Sequence, residues 1–199
     1  MKRMTVGLAL LLLAGCGQAV QPYRPKEAPA AAASEPTNAV ESTPTAGARP
    51  DTIDVGGELE VRVRWPERDD ALVRLFPDYY AQAWEAVMSG DDRYLRHVEP
   101  AYAGEAADWV RNFTGKKQSV SGVVRLFRLR VKAVVGRGAE LNVCVDETKM
   151  KVISTSTGEA ITPQPASSRA PYLQIVLAHR DDDGVWRIRN FSHSKEGCN

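Results

Sequence analysis

Residues 123–146 read VVRLFRLRVKAVVGRGAELNVCVD, and this stretch decides the fold class. Val123 to Val135 and Ala139 to Asp146 are strand-length runs rich in Val and Leu, joined by Gly136-Arg137-Gly138. A short loop ending in Gly is a favoured hairpin connection, because Gly takes the left-handed conformation there without steric cost. Pairing Val135 with Ala139 sets Ala133 against Leu141, Val131 against Val143 and Leu129 against Val145 on one face. The other face sets Lys132 against Asn142, Arg130 against Cys144 and Arg128 against Asp146. Apolar meets apolar and cation meets acid, so an antiparallel hairpin with one buried face is expected.

The C-terminal stretch passes the same test. Asp181-Asp182-Asp183-Gly184 links Tyr172–Arg180 to Val185–His193. Pairing Arg180 with Val185 places Leu177 against Ile188 and His179 against Trp186 on the apolar face, with His193 opposite Tyr172 on the other. Met150, Val152 and Ile153 suggest a further strand, and Thr157 to Pro171 a loop. Upstream, Leu59, Val61, Val63 and Trp65 alternate with Glu58, Glu60, Arg62 and Arg64, the pattern of a half-buried strand. Between strand and hairpins the period changes. Leu72, Leu75, Phe76, Tyr79, Ala83 and Val87 follow helical spacing, with Asp69 or Asp70 as cap, Ser89-Gly90 as stop, and Pro77 as a kink or a start. Asp91-Asp92 opens a short turn through Tyr94, Leu95 and Val98. Tyr102, Ala106, Trp109, Val110 and Phe113 form a second amphipathic helix, closed by Thr114-Gly115.

The N-terminus has a different texture. Residues 1–18 read MKRMTVGLALLLLAGCGQ, with Lys2 and Arg3 before an apolar run from Val6 to Ala14. That run is far shorter than the ~20 residues a membrane-spanning helix needs. Leu13-Ala14-Gly15-Cys16 resembles the lipobox of bacterial lipoproteins. The resemblance implies that residues 1–15 are a signal peptide and that Cys16 becomes a diacylated N-terminus on the extracytoplasmic face of the cell membrane. Two acyl chains hold firmly where one binds only marginally. Residues 17–50 hold six of the twelve Pro, the run Ala30 to Ala33 and no apolar periodicity, so residues 16–50 are expected to form a disordered tether. The texture changes again at Asp51, and residues 51–199 are long enough for one ordinary domain. Across the whole chain, 26 basic residues balance 25 acidic ones, a net +1 that argues against a nucleic-acid binder.

The expected class is therefore α+β, with N-terminal helices packed on one face of a curved antiparallel sheet. Helices first, long strands after, and the closing Asp183-Gly184-Val185-Trp186-Arg187-Ile188 resemble the nuclear-transport-factor-2-like superfold, which includes SnoaL-like and ketosteroid-isomerase-like proteins. The resemblance covers about residues 65–199. The chain is also similar to actinobacterial envelope lipoproteins that carry such a domain behind a Pro/Ala linker. That superfold hosts enzymes, binders and assembly modules alike, so it implies a cleft between helices and sheet without assigning its use.

With Cys16 lipidated, Cys144 and Cys198 are an even pair in an oxidising compartment, and a disulfide between them is expected. The hairpin register places Cys144 on the polar face, where a C-terminal tail can fold back.

No motif with metal, nucleotide or nucleophile spacing occurs: HExxH, paired Cys, GxSxG, a P-loop and GxGxxG are all absent. No cofactor is expected. The three His are His97, read as solvated, His193, read as surface, and His179, placed at the rim of the cleft. Tyr79, Trp109, Leu177, His179 and Trp186 are the candidate cleft residues. Arg125, Arg128, Arg130, Lys132, Arg187 and Arg189 make a basic stripe that Asp146, Glu140 and Glu147 are expected to neutralise. The acceptor patterns at Asn112 and Asn190 fall in regular elements and are read as chance. The expected function is a non-enzymatic module, anchored to the lipid membrane through Cys16, that binds an envelope protein or a small apolar ligand. The alternatives are an isomerase- or dehydratase-like enzyme using His179 with Tyr79 or Tyr80, and a structural subunit that assembles through its sheet face.

Overall fold

Six strands join edge to edge in chain order, β1 to β6, with two helices inserted between the second and the third. The computed structural model describes residues 50–56, 58–68, 70–194 and 198. The signal peptide expected over 1–15, Cys16 and the tether as far as residue 49 lie outside the described residues. Among those that are described, no helix is long and apolar enough to cross a membrane.

The strands are β1 (Thr52–Val55), β2 (Leu59–Val63), β3 (Gln118–Val135), β4 (Gly138–Ser154), β5 (Tyr172–Arg180) and β6 (Trp186–Ser194). Helix α1 spans Ala71–Ser89 and α2 spans Ala103–Gly115, with a 3₁₀ turn at Arg93–His97 between them. The α+β class holds, with two corrections. The strand expected near Glu58–Trp65 is preceded by another, so the helices do not open the described part of the chain. The sheet is also mixed, because β2 runs parallel to β3 while all other neighbours are antiparallel. A parallel pair needs a long crossover, and the helical segment supplies it.

Local signals explain the helices. Asp70 caps α1 by accepting the Leu72 N–H at 2.9 Å, and Gly90 ends it in the left-handed conformation while donating to Ala86 O. Pro77 lies within α1, which begins at Ala71, and is fully buried. Leu72, Leu75, Phe76, Tyr79, Ala83 and Val87 are buried in one core with Val124, Leu126, Leu141, Val143, Val145, Val176 and Ile188 of the sheet.

Both hairpins form, but neither has the expected register. In the first, Val135 pairs with Gly138, Val131 with Leu141 and Leu126 with Val145, and register shifts interrupt the ladder at three points. The one between Phe127 and Arg130 passes over Arg128, which sits at φ 53°. The inward row passes from Val124 and Leu126 to Leu129 there, so the alternation changes phase within one strand. Asp146 therefore faces Arg125 rather than Arg128, and Cys144 faces Phe127 rather than Arg130. Met150, Val152 and Ile153 belong to the same uninterrupted β4.

In the second hairpin, Arg180 pairs with Trp186, and a shift between Leu177 and Ala178 leaves Arg189 without an opposite residue. The buried row of β5 is Gln174, Val176 and Ala178. Leu177, expected on the apolar face, is 42% exposed, and His179 shares its outer side.

Candidate ligand pocket

A cavity of about 230 Å³ lies between α1, the start of α2 and the far ends of β5 and β6. Helix α1 contributes Phe76, Tyr79, Tyr80 and Ala83; α2 and the residue before it contribute Tyr102, Ala106 and Trp109. The sheet closes it with Tyr172, Gln174, Phe191 and His193. Helical spacing puts the first four on one stripe, and strand alternation turns Tyr172 and Gln174 inward together. Phe191 is the hub, with ring centroids 5.2 Å from Tyr79, 5.6 Å from Tyr102 and 6.0 Å from Phe76. Trp109, 37% exposed, stacks edge-on against Trp84 at 4.7 Å and leans on Phe113.

Of the expected cleft residues, Tyr79 and Trp109 line this pocket and three do not. Leu177 and His179 are on the outer side of β5 because of the shift described above. Trp186 packs against the core without reaching the cavity. His193, read as a surface residue, is exposed and also edges the cavity, its ring 5.3 Å from Tyr172. Phe76, Tyr102, Tyr172, Gln174 and Phe191 were not singled out. Phe76 and Tyr102 belong to the helical stripes already read; the signal for Tyr172, Gln174 and Phe191 was the inward row of β5 and β6, which can be read only once the register shift that passes over Arg189 is known.

Behind the aromatic wall is a buried carboxylate. Glu147, 4% exposed, continues the inward row Leu141, Val143, Val145 of β4. Its Oε1 accepts the Tyr80 hydroxyl at 2.6 Å and the Tyr172 hydroxyl at 3.1 Å. Burial drives the Tyr80 phenol far above its ordinary pKa, and the Glu147 charge adds to this. Tyr172 is raised by the same two causes in the same order. Tyr79 is raised by burial and then by its neighbours Tyr102 and Tyr94. All these phenols are therefore protonated donors at neutral pH. Gln174, which lines the cavity, donates its Nε2 to Ile175 O and Ser192 O, and neither bond uses its acceptor Oε1. The Trp84 indole N–H completes no hydrogen bond, although it lies near enough to Tyr80 to oppose slightly the rise of that phenol's pKa.

The charged groups expected along the sheet are engaged elsewhere. Arg125 Nε donates to Asp146 Oδ2 at 3.0 Å, and Asp146 also accepts from Thr148. Burial pulls the Asp146 carboxyl upward, but the Thr148 and Arg125 hydrogen bonds outweigh it and hold the pKa below the usual carboxylate value. Glu147, expected to neutralise the basic stripe, is instead inside the fold. Glu99, His179 and Asp181 gather at another corner, His179 Nδ1 lying 2.9 Å from Glu99 Oε1 and 3.6 Å from Asp181 Oδ1. Arg187 and Arg189 pair with the other oxygens of Asp181 and Glu99, so the five side chains form one polar cluster. His97, read as solvated, is half-buried against Gln82, and burial followed by the adjacent Arg96 charge lowers its pKa to about 4.

A larger groove of about 660 Å³ runs past Trp65, Phe127, Arg62 and Arg125, beside the point where the described chain begins. Its Arg62 is paired with Glu60 and its Arg125 with Asp146. The smaller cavity is the stronger ligand candidate because its walls are largely aromatic and no salt-bridged Arg lines it.

The expected disulfide joins Cys144 to Cys198, both buried.

No protein-family model and no curated protein matches this chain. The structure of the intermembrane space region of the chloroplast protein ARC6 is similar over 65% of this chain and 99% of its own, at 14% identity and a TM-score of 0.47. A putative ketosteroid isomerase from Shewanella frigidimarina NCIMB 400 is similar over 63% of this chain and 96% of its own, at 14% identity and a TM-score of 0.33. Likeness at this level is slight, and the functional reading below rests on the pocket itself.

Proposed function

We propose that this chain is a membrane-anchored extracytoplasmic lipoprotein, attached through Cys16, whose nuclear-transport-factor-2-like cone binds a small, largely apolar ligand without transforming it. The aromatic pocket beneath α1 and α2 carries this reading. Its volume is below the range of about 300–1,000 Å³ typical of drug-sized sites, so the ligand is a single ring or a compact group. Two of the polar groups that could move a proton are occupied: the Tyr80 and Tyr172 hydroxyls are spent on Glu147. His179, the base required by an isomerase-like alternative, is held by Glu99 on the other side of β5. The anchor is supported by the charge, apolar run and small residues that precede Cys16, and the Pro-rich tether sets the domain away from the bilayer.

Two measurements on the full chain test this. Labelled palmitate should be incorporated in the wild type and lost in Cys16→Ser; incorporation in neither, with the protein found in the soluble fraction, removes the anchor. Titration with p-cresol should perturb the fluorescence of Trp109, and Ala106→Leu, which fills the cavity, should abolish the response while preserving the circular dichroism spectrum. Silence toward every compact probe, neutral or cationic, removes the pocket.

A further inference from the structure

We infer that the ligand of this pocket is a small organic cation, a quaternary or primary ammonium group rather than a neutral or anionic molecule; this rests on the pocket reading above. The decisive residue is Glu147. It is buried, and it has no cationic partner among the described residues: Arg125 is spent on Asp146, and the two groups bonded to Glu147 are neutral phenols. Both phenols bond the same oxygen, Oε1, and none of the described residues donates to Oε2. A carboxylate taken out of water with only neutral donors retains uncompensated charge, and a buried charge of that kind is costly unless a counter-charge arrives.

The pocket in front of Glu147 is built to receive that counter-charge. Tyr80 and Tyr172 form both the wall of the cavity and the link to the carboxylate. Neither Lys nor Arg lines it; besides Ala83 and Ala106, the remaining walls are aromatic rings, the Gln174 amide and, at the exposed edge, the His193 imidazole. Aromatic faces carry negative potential, and a cation within ~6 Å of a ring centroid is attracted most strongly where water is excluded. An anion would meet the ring faces and the Glu147 charge behind them, opposed by the Tyr79 hydroxyl and the His193 imidazole at the exposed edge. A cavity of about 230 Å³ has room for a trimethylammonium head group with a short tail.

The test compares choline with 3,3-dimethylbutan-1-ol, which has the same shape without the charge, by titration calorimetry on the wild-type full chain. Choline should bind about tenfold or more tightly than the alcohol, and that ratio needs no variant. Glu147→Gln should bring the two affinities together by weakening choline alone. Trp109→Leu, at the rim, gives a second variant in which choline should again lose more than the alcohol. If the alcohol binds as well as choline or better, the cation assignment is overturned and the pocket reading stands. If neither binds at millimolar concentration, both are overturned.

Discussion

The Tyr80 hydroxyl donates to Glu147 Oε1 at 2.6 Å, joining the middle of α1 to the inward row of β4 across 67 positions of sequence. Tyr172 reaches the same oxygen from β5 at 3.1 Å. Hydrogen bonds to a charged group contribute about 1.5–3 kcal/mol, and removing a donor from a buried carboxylate exposes its desolvation cost. Tyr80→Phe should therefore destabilise the protein by about 2 kcal/mol, and Tyr172→Phe by somewhat less. Because both donors serve one oxygen, the double variant should depart from additivity. Urea unfolding of the three variants checks this, and full additivity would contradict the shared acceptor.

His97 predicts an acid-side loss of stability. Its folded pKa is near 4, depressed by burial and by Arg96, against an ordinary value of 6.5. The unfolded chain therefore takes up the proton first as pH falls. The contribution is complete above 6.5 and is lost progressively toward 4. His97→Gln should flatten the dependence of the urea midpoint on pH across that window while leaving the trend outside it. A His97 ring that titrates near its ordinary value by NMR would contradict this.

How much of this was legible follows from where the signals are local. The end of α1 could be read because Gly90 acts on neighbouring backbone, whereas the sequence leaves its start open between the Asp69-Asp70 cap and Pro77, and the structure places the cap at Asp70. The hairpins could be read from their turn residues, and the disulfide from the even pair of cysteines left once Cys16 is set aside. The register could not. In β3, Leu126, Phe127 and Leu129 offer apolar residues in both phases, so nothing local announces that Arg128 steps out of the ladder. In β6, Arg189 and Asn190 are two polar residues in succession, consistent with a bulge but also with an exposed strand end. A single-residue slip moves every later side chain to the opposite face. That is why Leu177 and His179 were placed in the cleft while Gln174 and Phe191 were overlooked. Parallel pairing of β2 with β3 was likewise hidden, since it depends on where the helices return the chain.

The Cys144–Cys198 bond closes a loop of 54 residues and pins the C-terminus to the outer side of β4. In the chain-entropy picture such a loop is worth about 4 kcal/mol, an upper figure. Cys198→Ser, which leaves the strand residue in place, should lower the unfolding free energy by about 2–4 kcal/mol. Treating the wild type with reductant should bring its urea midpoint down to that of the variant. A midpoint unchanged by either treatment would mean that the bond is not formed in the protein as isolated.

Gly122 sits where three strands meet. Its N–H donates to Glu58 O, just before β2, at 2.7 Å, its partners are Leu59 in β2 and Met150 in β4, and its φ is +106°. A Cβ placed there would lie 2.2 Å from the Lys149 carbonyl oxygen, backbone that cannot rotate aside. Two penalties coincide in Gly122→Ala: a conformation that L side chains rarely adopt, and a clash that must push β4 away from β3. The expected cost is about 3 kcal/mol or more. Because the displacement falls near the β4 segment that carries Glu147, Trp109 fluorescence should lose its response to pocket probes before the protein unfolds globally. Gly90→Ala is the control: its left-handed conformation is similarly strained, but an added Cβ would meet nothing within 4 Å. It should be destabilising yet leave the probe response intact. A similar loss of response in both variants would show that the pocket depends on overall stability rather than on the seating of β4.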